Sequence, residues 1–147
     1  MTPYFAYGSN LWIDQMAARL GPFRADAEPP RLARLPGYRV AFNMRGENGQ
    51  VYANIVRPGD HVLGVIYSCD SQALEKLDEF ETGYRRERVE VVDESGASVE
   101  VVTYMAEPEN VMDGGKPSAE YVQRILRGGR QHGLPEAYLR MIETLAG

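Results

Sequence analysis

The sequence predicts an α+β fold, and two observations carry that reading. Short β-type stretches come in runs with helical segments inserted singly, unlike the strict alternation of a parallel sheet. Two helical segments then close the chain. With 147 residues, 44% hydrophobic and 25% charged, the chain is read as one soluble domain over residues 1–147. No internal repeat, low-complexity tract or linker divides it.

Each element has its own signal. Tyr4 to Tyr7 reads as a short buried strand that runs straight into Gly8-Ser9-Asn10. A helix near residues 12–20 follows, with Trp12, Met16 and Leu20 at four-residue spacing. After a break, "GPFRADAEPP", strands are expected over Arg31 to Leu35 and Tyr38 to Asn43, separated by a Pro36-Gly37 turn. Val51 to Val56 and Val62 to Ser68 flank "RPGD", where the chain is expected to reverse. A helix ends in "LDEFE", with Ala73, Leu74, Leu77 and Phe80 as its apolar stripe. Arg86 to Val92 and Ser98 to Met105 form a hairpin around Glu94-Ser95-Gly96. Ser118 caps a helix to about Arg130, and Pro135 begins one to about Leu145.

Charge and composition exclude several functions. A net charge of −5 with no basic cluster argues against nucleic acid as a partner. No stretch is apolar enough to span a membrane, and no leader-like segment opens the chain. The single Cys69 fits a reducing cytoplasm. His61 and His132 lie far apart without ligand spacing, so no metal site is expected. Gly8 alone makes no phosphate loop, Ser9 is followed by Asn10 where a nucleophile elbow has glycine, and no cofactor is implied.

One carboxylate stands out. At about 100° per residue, Glu81 falls between the directions of Ala73 and Leu74, on the core-facing side of its helix. Glu75 and Glu79 fall on the solvated side. Glu81 also sits in the last turn, where the helix dipole disfavours an anion. Burial and dipole both raise its pKa, which suits a group exchanging a proton near neutral pH. The alternative is a structural ion pair with Arg85, Arg86 or Arg88.

Together, "YFAYGSNL", "VRPGDHVLGVIYSCD", "LDEFE" and "PSAEYVQRILRGGRQHGLPEAYLRMI" resemble the gamma-glutamylcyclotransferase family over nearly the whole chain. The resemblance implies a mixed β-barrel surrounded by helices, with a pocket at one end. Glu81 falls at the family's general acid/base. Tyr4, Phe5, Ala6, Tyr7, Gly8 and Ser9 match its substrate loop, and Tyr104 and Tyr121 match substrate-contacting tyrosines. The implied reaction turns a γ-glutamyl amide into 5-oxoproline and a free amine, without metal or cofactor. The implied partner is thus a small γ-glutamyl molecule; the oligomeric state is left open, a homodimer being compatible. The family usually has glycine directly after the catalytic Glu, whereas Thr82 precedes Gly83 here. That departure leaves the leaving group open: an amino acid, an amine, a lysine derivative or a γ-glutamyl-protected intermediate, with glutathione less favoured. A non-catalytic module binding a small anion is the alternative from another class.

Overall fold

The computed structural model describes residues 1–21 and 28–147. The break expected over 21–30 therefore falls largely outside the described residues. Among the described residues seven strands run in chain order: β1 (Thr2–Ala6), β2 (Arg31–Pro36), β3 (Arg39–Arg45), β4 (Val51–Val56), β5 (His61–Cys69), β6 (Tyr84–Asp93) and β7 (Ser98–Ala106). The helices are α1 (Ile13–Leu20), α2 (Ser71–Phe80), α3 (Ala119–Gln131) and α4 (Glu136–Ala146).

Five strands close a barrel in the order β1-β5-β2-β6-β7. Its neighbours are antiparallel except at the closure, where β1 meets β7 in parallel at Tyr4 and Val102. The expected hairpin forms as β6 and β7, paired from Tyr84–Ala106 to Val92–Ser98. Side chains of Phe5, Leu35, Val62, Val65 and Val91 are almost wholly buried. Met16, Leu77, Ile125, Leu139 and Ile142 bring the four helices into the same core.

The expected reversal at Arg57–Asp60 is corrected by the pairing. β4 does not pair with β5; β3 pairs with β4, and β2 with β5. The β2–β5 ladder ends at Pro36–His61, and the β3–β4 ladder begins at Arg39–Val56. Between them Gly37 N–H donates to Asp60 O and Gly59 N–H donates to Gly37 O, both at 3.1 Å. The two pairs are thus one long ribbon with a bend. The chain reverses at Gly46–Gln50, where Gly46 N–H donates to Gln50 O at 2.9 Å. Pro58 has no N–H for a ladder, so its segment bends the ribbon. Gly59 presses so closely on the Tyr38 backbone that a side chain there would collide with it.

Helix ends follow their caps. Asp70 Oδ1 accepts from Ala73 N at 2.8 Å, and Ser118 Oγ accepts from Tyr121 N at 3.1 Å. On α2, Leu74 and Leu77 are buried, but Phe80 is 50% exposed, so the apolar stripe stops one turn earlier than expected. The Arg19 guanidinium lies over the Phe80 ring, 4.9 Å from its centroid. Helix α3 approaches the short helical turn Ser9–Leu11 through Gly128, where any side chain would strike the backbone of Leu11 and Trp12.

Candidate active site

The end of β1 and the end of α2 meet at one mouth of the barrel. Past Ala6 the chain passes through Tyr7 and Gly8 into the Ser9–Leu11 turn. That turn is held by Leu11 N–H to Gly8 O at 3.0 Å and by the Tyr67 hydroxyl donating to Asn10 O at 3.0 Å. Among the described residues none of the turn's backbone hydrogen bonds uses the amides of Gly8 or Ser9.

Glu81 caps the C-terminus of α2, its N–H donating to Leu77 O at 2.9 Å. Its φ of −96° and ψ of 48° take the chain out of the helix, and its side chain, 16% exposed, turns into the mouth. Oε1 accepts from Asn10 Nδ2 at 2.9 Å and from Arg19 Nη1 at 3.3 Å. Burial pushes the carboxyl above its ordinary value; Arg19 and Asn10 pull it down, and Asp78 pushes it up. The net shift is upward.

Hydroxyl groups around this carboxylate divide into two sets. Tyr7 donates to Tyr104 O, Tyr84 to Ala53 O, and Tyr104 to Asp78 Oδ1, each at 2.6 Å. Their protons are committed to the protein. By contrast, Tyr4 accepts from Asn10 Nδ2 at 2.9 Å, Ser9 from Gln15 Nε2 at 2.8 Å, and Tyr121 from Ala53 N at 3.0 Å. Each of these three is held by an acceptor bond, and among the described residues its own proton has no side-chain or backbone acceptor. Burial and the Glu81 charge push the phenols of Tyr4 and Tyr121 well up, so they stay protonated donors at neutral pH.

The cleft has a narrow and a wide part. A recess of about 30 Å³ lies among Tyr4, Tyr7, Gly8, Asn10, Ala53 and Tyr104. A volume of about 340 Å³ opens beyond it, towards the ribbon tip at Gly46–Asn48, with Arg19, Phe80, Thr82 and Arg124 on its walls. Ser9, Glu81, Tyr84 and Tyr121 line both parts. Glu81 therefore sits at their junction.

Of the residues singled out from the sequence, Glu81, Tyr4, Tyr7, Gly8, Ser9, Tyr104 and Tyr121 come together here. Phe5 and Ala6 do not. Their side chains are 0% and 1% exposed and pack in the core, and Phe5 contributes a carbonyl that accepts from Thr103 Oγ1 at 2.8 Å. The expected arginine partners of Glu81 are engaged elsewhere: Arg85 with Glu87, Arg86 with Asp78 and Arg88 with Glu100. Arg19 takes that place instead. Asn10, Arg19 and Tyr84 also line the cleft, and Gln15 supports it through Ser9 and Asn10; the sequence reading does not single these four out. Asn10 stood inside the "YGSN" motif; nothing local marks Arg19 as the partner of a residue 62 positions away. Among the described residues no group of three His, Cys, Asp or Glu side chains could hold a metal ion, and no helix is long and apolar enough to cross a membrane.

Fold and cleft define a five-stranded barrel with a cleft at one mouth, into which the Glu81 carboxylate turns. The model of the AIG2-like family matches residues 61–142. Human gamma-glutamylcyclotransferase is 30% identical over 152 aligned residues, which span 97% of this chain and 77% of the human protein. The bovine gamma-glutamylcyclotransferase is also 30% identical, over 153 residues, with the same coverage of both chains. A solved structure of a gamma-glutamyl cyclotransferase superposes with a TM-score of 0.81 at 28% identity, covering 97% of this chain and 86% of that one. The chain belongs to the gamma-glutamylcyclotransferase family.

Proposed function

We propose that the protein is a cyclotransferase that converts a γ-glutamyl amide to 5-oxoproline and a free amine. The observation that carries this reading is the place of Glu81, a carboxylate turned inward at the end of its helix, at the junction of a narrow recess and a wide cleft. In the reaction the substrate's α-nitrogen attacks its own γ-carbonyl carbon. A C–N bond forms within the ring and the amide C–N bond breaks. Both reacting groups belong to one molecule, so holding the substrate curled supplies much of the rate.

The donors around the narrow recess, which at about 30 Å³ takes little more than one polar group, suit the carboxylate or carbonyl of the glutamyl end, and the wide part takes the rest of the substrate and the departing amine. Glu81 takes a proton from the α-ammonium and returns it to the leaving nitrogen, acting as base and then acid. Its raised pKa brings the two states closer in energy near neutral pH. Ser9, Tyr4 and Tyr121 offer hydroxyl protons to the carboxylate and carbonyl oxygens of the substrate. The amides of Gly8 and Ser9 add donors to the same wall. Thr82 lines the wide part, so the residue inserted before Gly83 stands where the departing amine passes. A carboxylate at this junction gives nothing to a module that only binds anions, which favours the enzyme. Incubation with a panel of γ-glutamyl amino acids and amines, read by mass spectrometry for 5-oxoproline, tests the reading. Release from at least one member is expected; no release from any would overturn it.

A further inference from the structure

We propose that Arg19 is a positioning residue for Glu81: it fixes the Asn10 amide so that both side chains donate to Oε1, leaving Oε2 as the oxygen that exchanges the proton. This inference rests on Glu81 being the proton-transfer group of the proposed reaction.

An asparagine amide has an accepting end and a donating end of nearly the same shape, and its neighbours decide which way it faces. Arginine only donates. Arg19 Nη1 lies 3.0 Å from one end of the Asn10 amide, so that end is Oδ1, and Gln15 Nε2 donates to it as well at 3.0 Å. The other end is then Nδ2, whose two hydrogens reach Glu81 Oε1 and the Tyr4 hydroxyl, each at 2.9 Å. Asn10 is 3% exposed, and every polar position on its side chain is engaged. The ionised Glu81 carboxylate and Arg19 both oppose the reverse orientation, which turns Oδ1 towards the carboxylate; once Glu81 is protonated, Arg19 is the charged group that still opposes it.

Oε1 thus receives two donors, one from Asn10 and one from Arg19. Among the described residues Oε2 receives none. A carboxyl group that gains its proton on Oε2 keeps Oε1 as an acceptor, so both bonds persist in either protonation state. Proton exchange then needs no rearrangement of the surrounding dipoles. The stacking of Arg19 on Phe80 holds the guanidinium in place, which gives that exposed ring a purpose.

Other groups facing Glu81 do not duplicate this part. Asp78 on α2 carries the same charge. Tyr4 on β1, Tyr7 just after it, Tyr84 on β6, Tyr104 on β7 and Tyr121 on α3 all interact with the carboxylate as phenols that burial keeps neutral. Arg124 on α3 lines the wide part of the cleft but is bonded to Glu120 and Gln15.

The test follows the Glu81 side-chain carboxyl carbon by NMR through a pH titration, its resonance assigned by its loss in Glu81→Gln. Arg19→Met keeps the stem and removes charge and donors. Its titration midpoint is expected to rise by at least about one pH unit, the usual effect of losing an adjacent opposite charge. The acidic limb of kcat/KM for 5-oxoproline release should move with it, and Arg19→Lys should recover part of the shift. A merely structural Arg19 would lower the melting temperature and leave the midpoint where it was. If Arg19→Met does not fold, Asn10→Ser removes the shared donor and carries the same expected rise. A folded variant with an unmoved midpoint overturns the inference. The NMR measurement needs no turnover, so absence of 5-oxoproline from the unaltered protein would count against the reaction and not against this role.

Discussion

Gly8 and Tyr121 face each other across the narrow end of the cleft: a methyl group at residue 8 would stand 3.5 Å from the Tyr121 hydroxyl oxygen and 3.7 Å from Ala53 Cβ. Those are ordinary contacts, and φ at Gly8 is −109°, outside the left-handed region. On the proposed reading glycine serves here through the space it leaves to the substrate. Gly8→Ala should fold normally. Gly8→Val, whose branches project into the recess, should raise KM at least about tenfold with the melting temperature nearly unchanged, a binding loss of about 1.4 kcal/mol. Steady-state kinetics beside thermal unfolding checks it; unchanged KM in Gly8→Val would make this loop a mere connector.

On the proposed reading Tyr121 has two roles, and Tyr121→Phe removes both. Its oxygen accepts the N–H of Ala53, a residue 2% exposed, and its side chain lines the cleft. Tyr121→Phe leaves that amide without an acceptor, which costs about 1–3 kcal/mol. It also removes a donor to the substrate, so KM should rise together with the fall in melting temperature. A drop in stability with unaltered kinetics would make Tyr121 structural only.

Much of this arrangement is legible in the residues, and the parts that are not share one cause. The direction of Glu81 follows from helical periodicity, and Ser118 announces its cap because both signals lie within a few residues. The β6–β7 hairpin is equally local. The bend at Pro58 reads as a reversal because a proline-glycine pair marks a change of direction without saying which strands pair afterwards. Phe80 reads as core because its spacing fits the stripe, whereas the last turn of α2 has run past the barrel to Arg19. The contact of Arg19 with Glu81 is tertiary, set by how α1 packs on α2, and no spacing encodes it.

Helix α3 sets the position of the Ser9–Leu11 turn. Because any side chain at Gly128 would strike Leu11 and Trp12, Gly128→Ala should push the turn away. Overpacking of this kind costs about 1–3 kcal/mol. Since the turn carries Ser9 and Asn10, kcat/KM should fall as well. Calorimetry and kinetics on the same preparation check both effects; a destabilised variant with full activity would show that α3 does not place the turn.

Stability should also depend on His132. Burial holds its imidazole below the ordinary 6.5, and Nε2–H donates to Leu11 O at 2.8 Å. With the folded value depressed, the unfolded chain binds the proton more readily between the two values. The stabilisation is therefore complete above about 6.5 and is lost as the pH falls through the folded value. His132→Gln keeps a donor without titrating. Its melting temperature should vary less than that of the unaltered protein between about pH 7.5 and about pH 5; equal pH dependence would assign the acid sensitivity to other groups.

Glu81→Gln keeps the shape of the side chain and removes its capacity to take a proton. Asn10 and Arg19 can still donate to the amide oxygen, so the protein should fold. Single-turnover release of 5-oxoproline, measured beside thermal unfolding, is expected to slow by at least about a hundredfold while substrate affinity is kept. Glu79→Gln, on the solvated face two residues away, serves as control and should match the unaltered protein. A folded Glu81→Gln protein that releases 5-oxoproline at a near-normal rate would contradict the role given to Glu81.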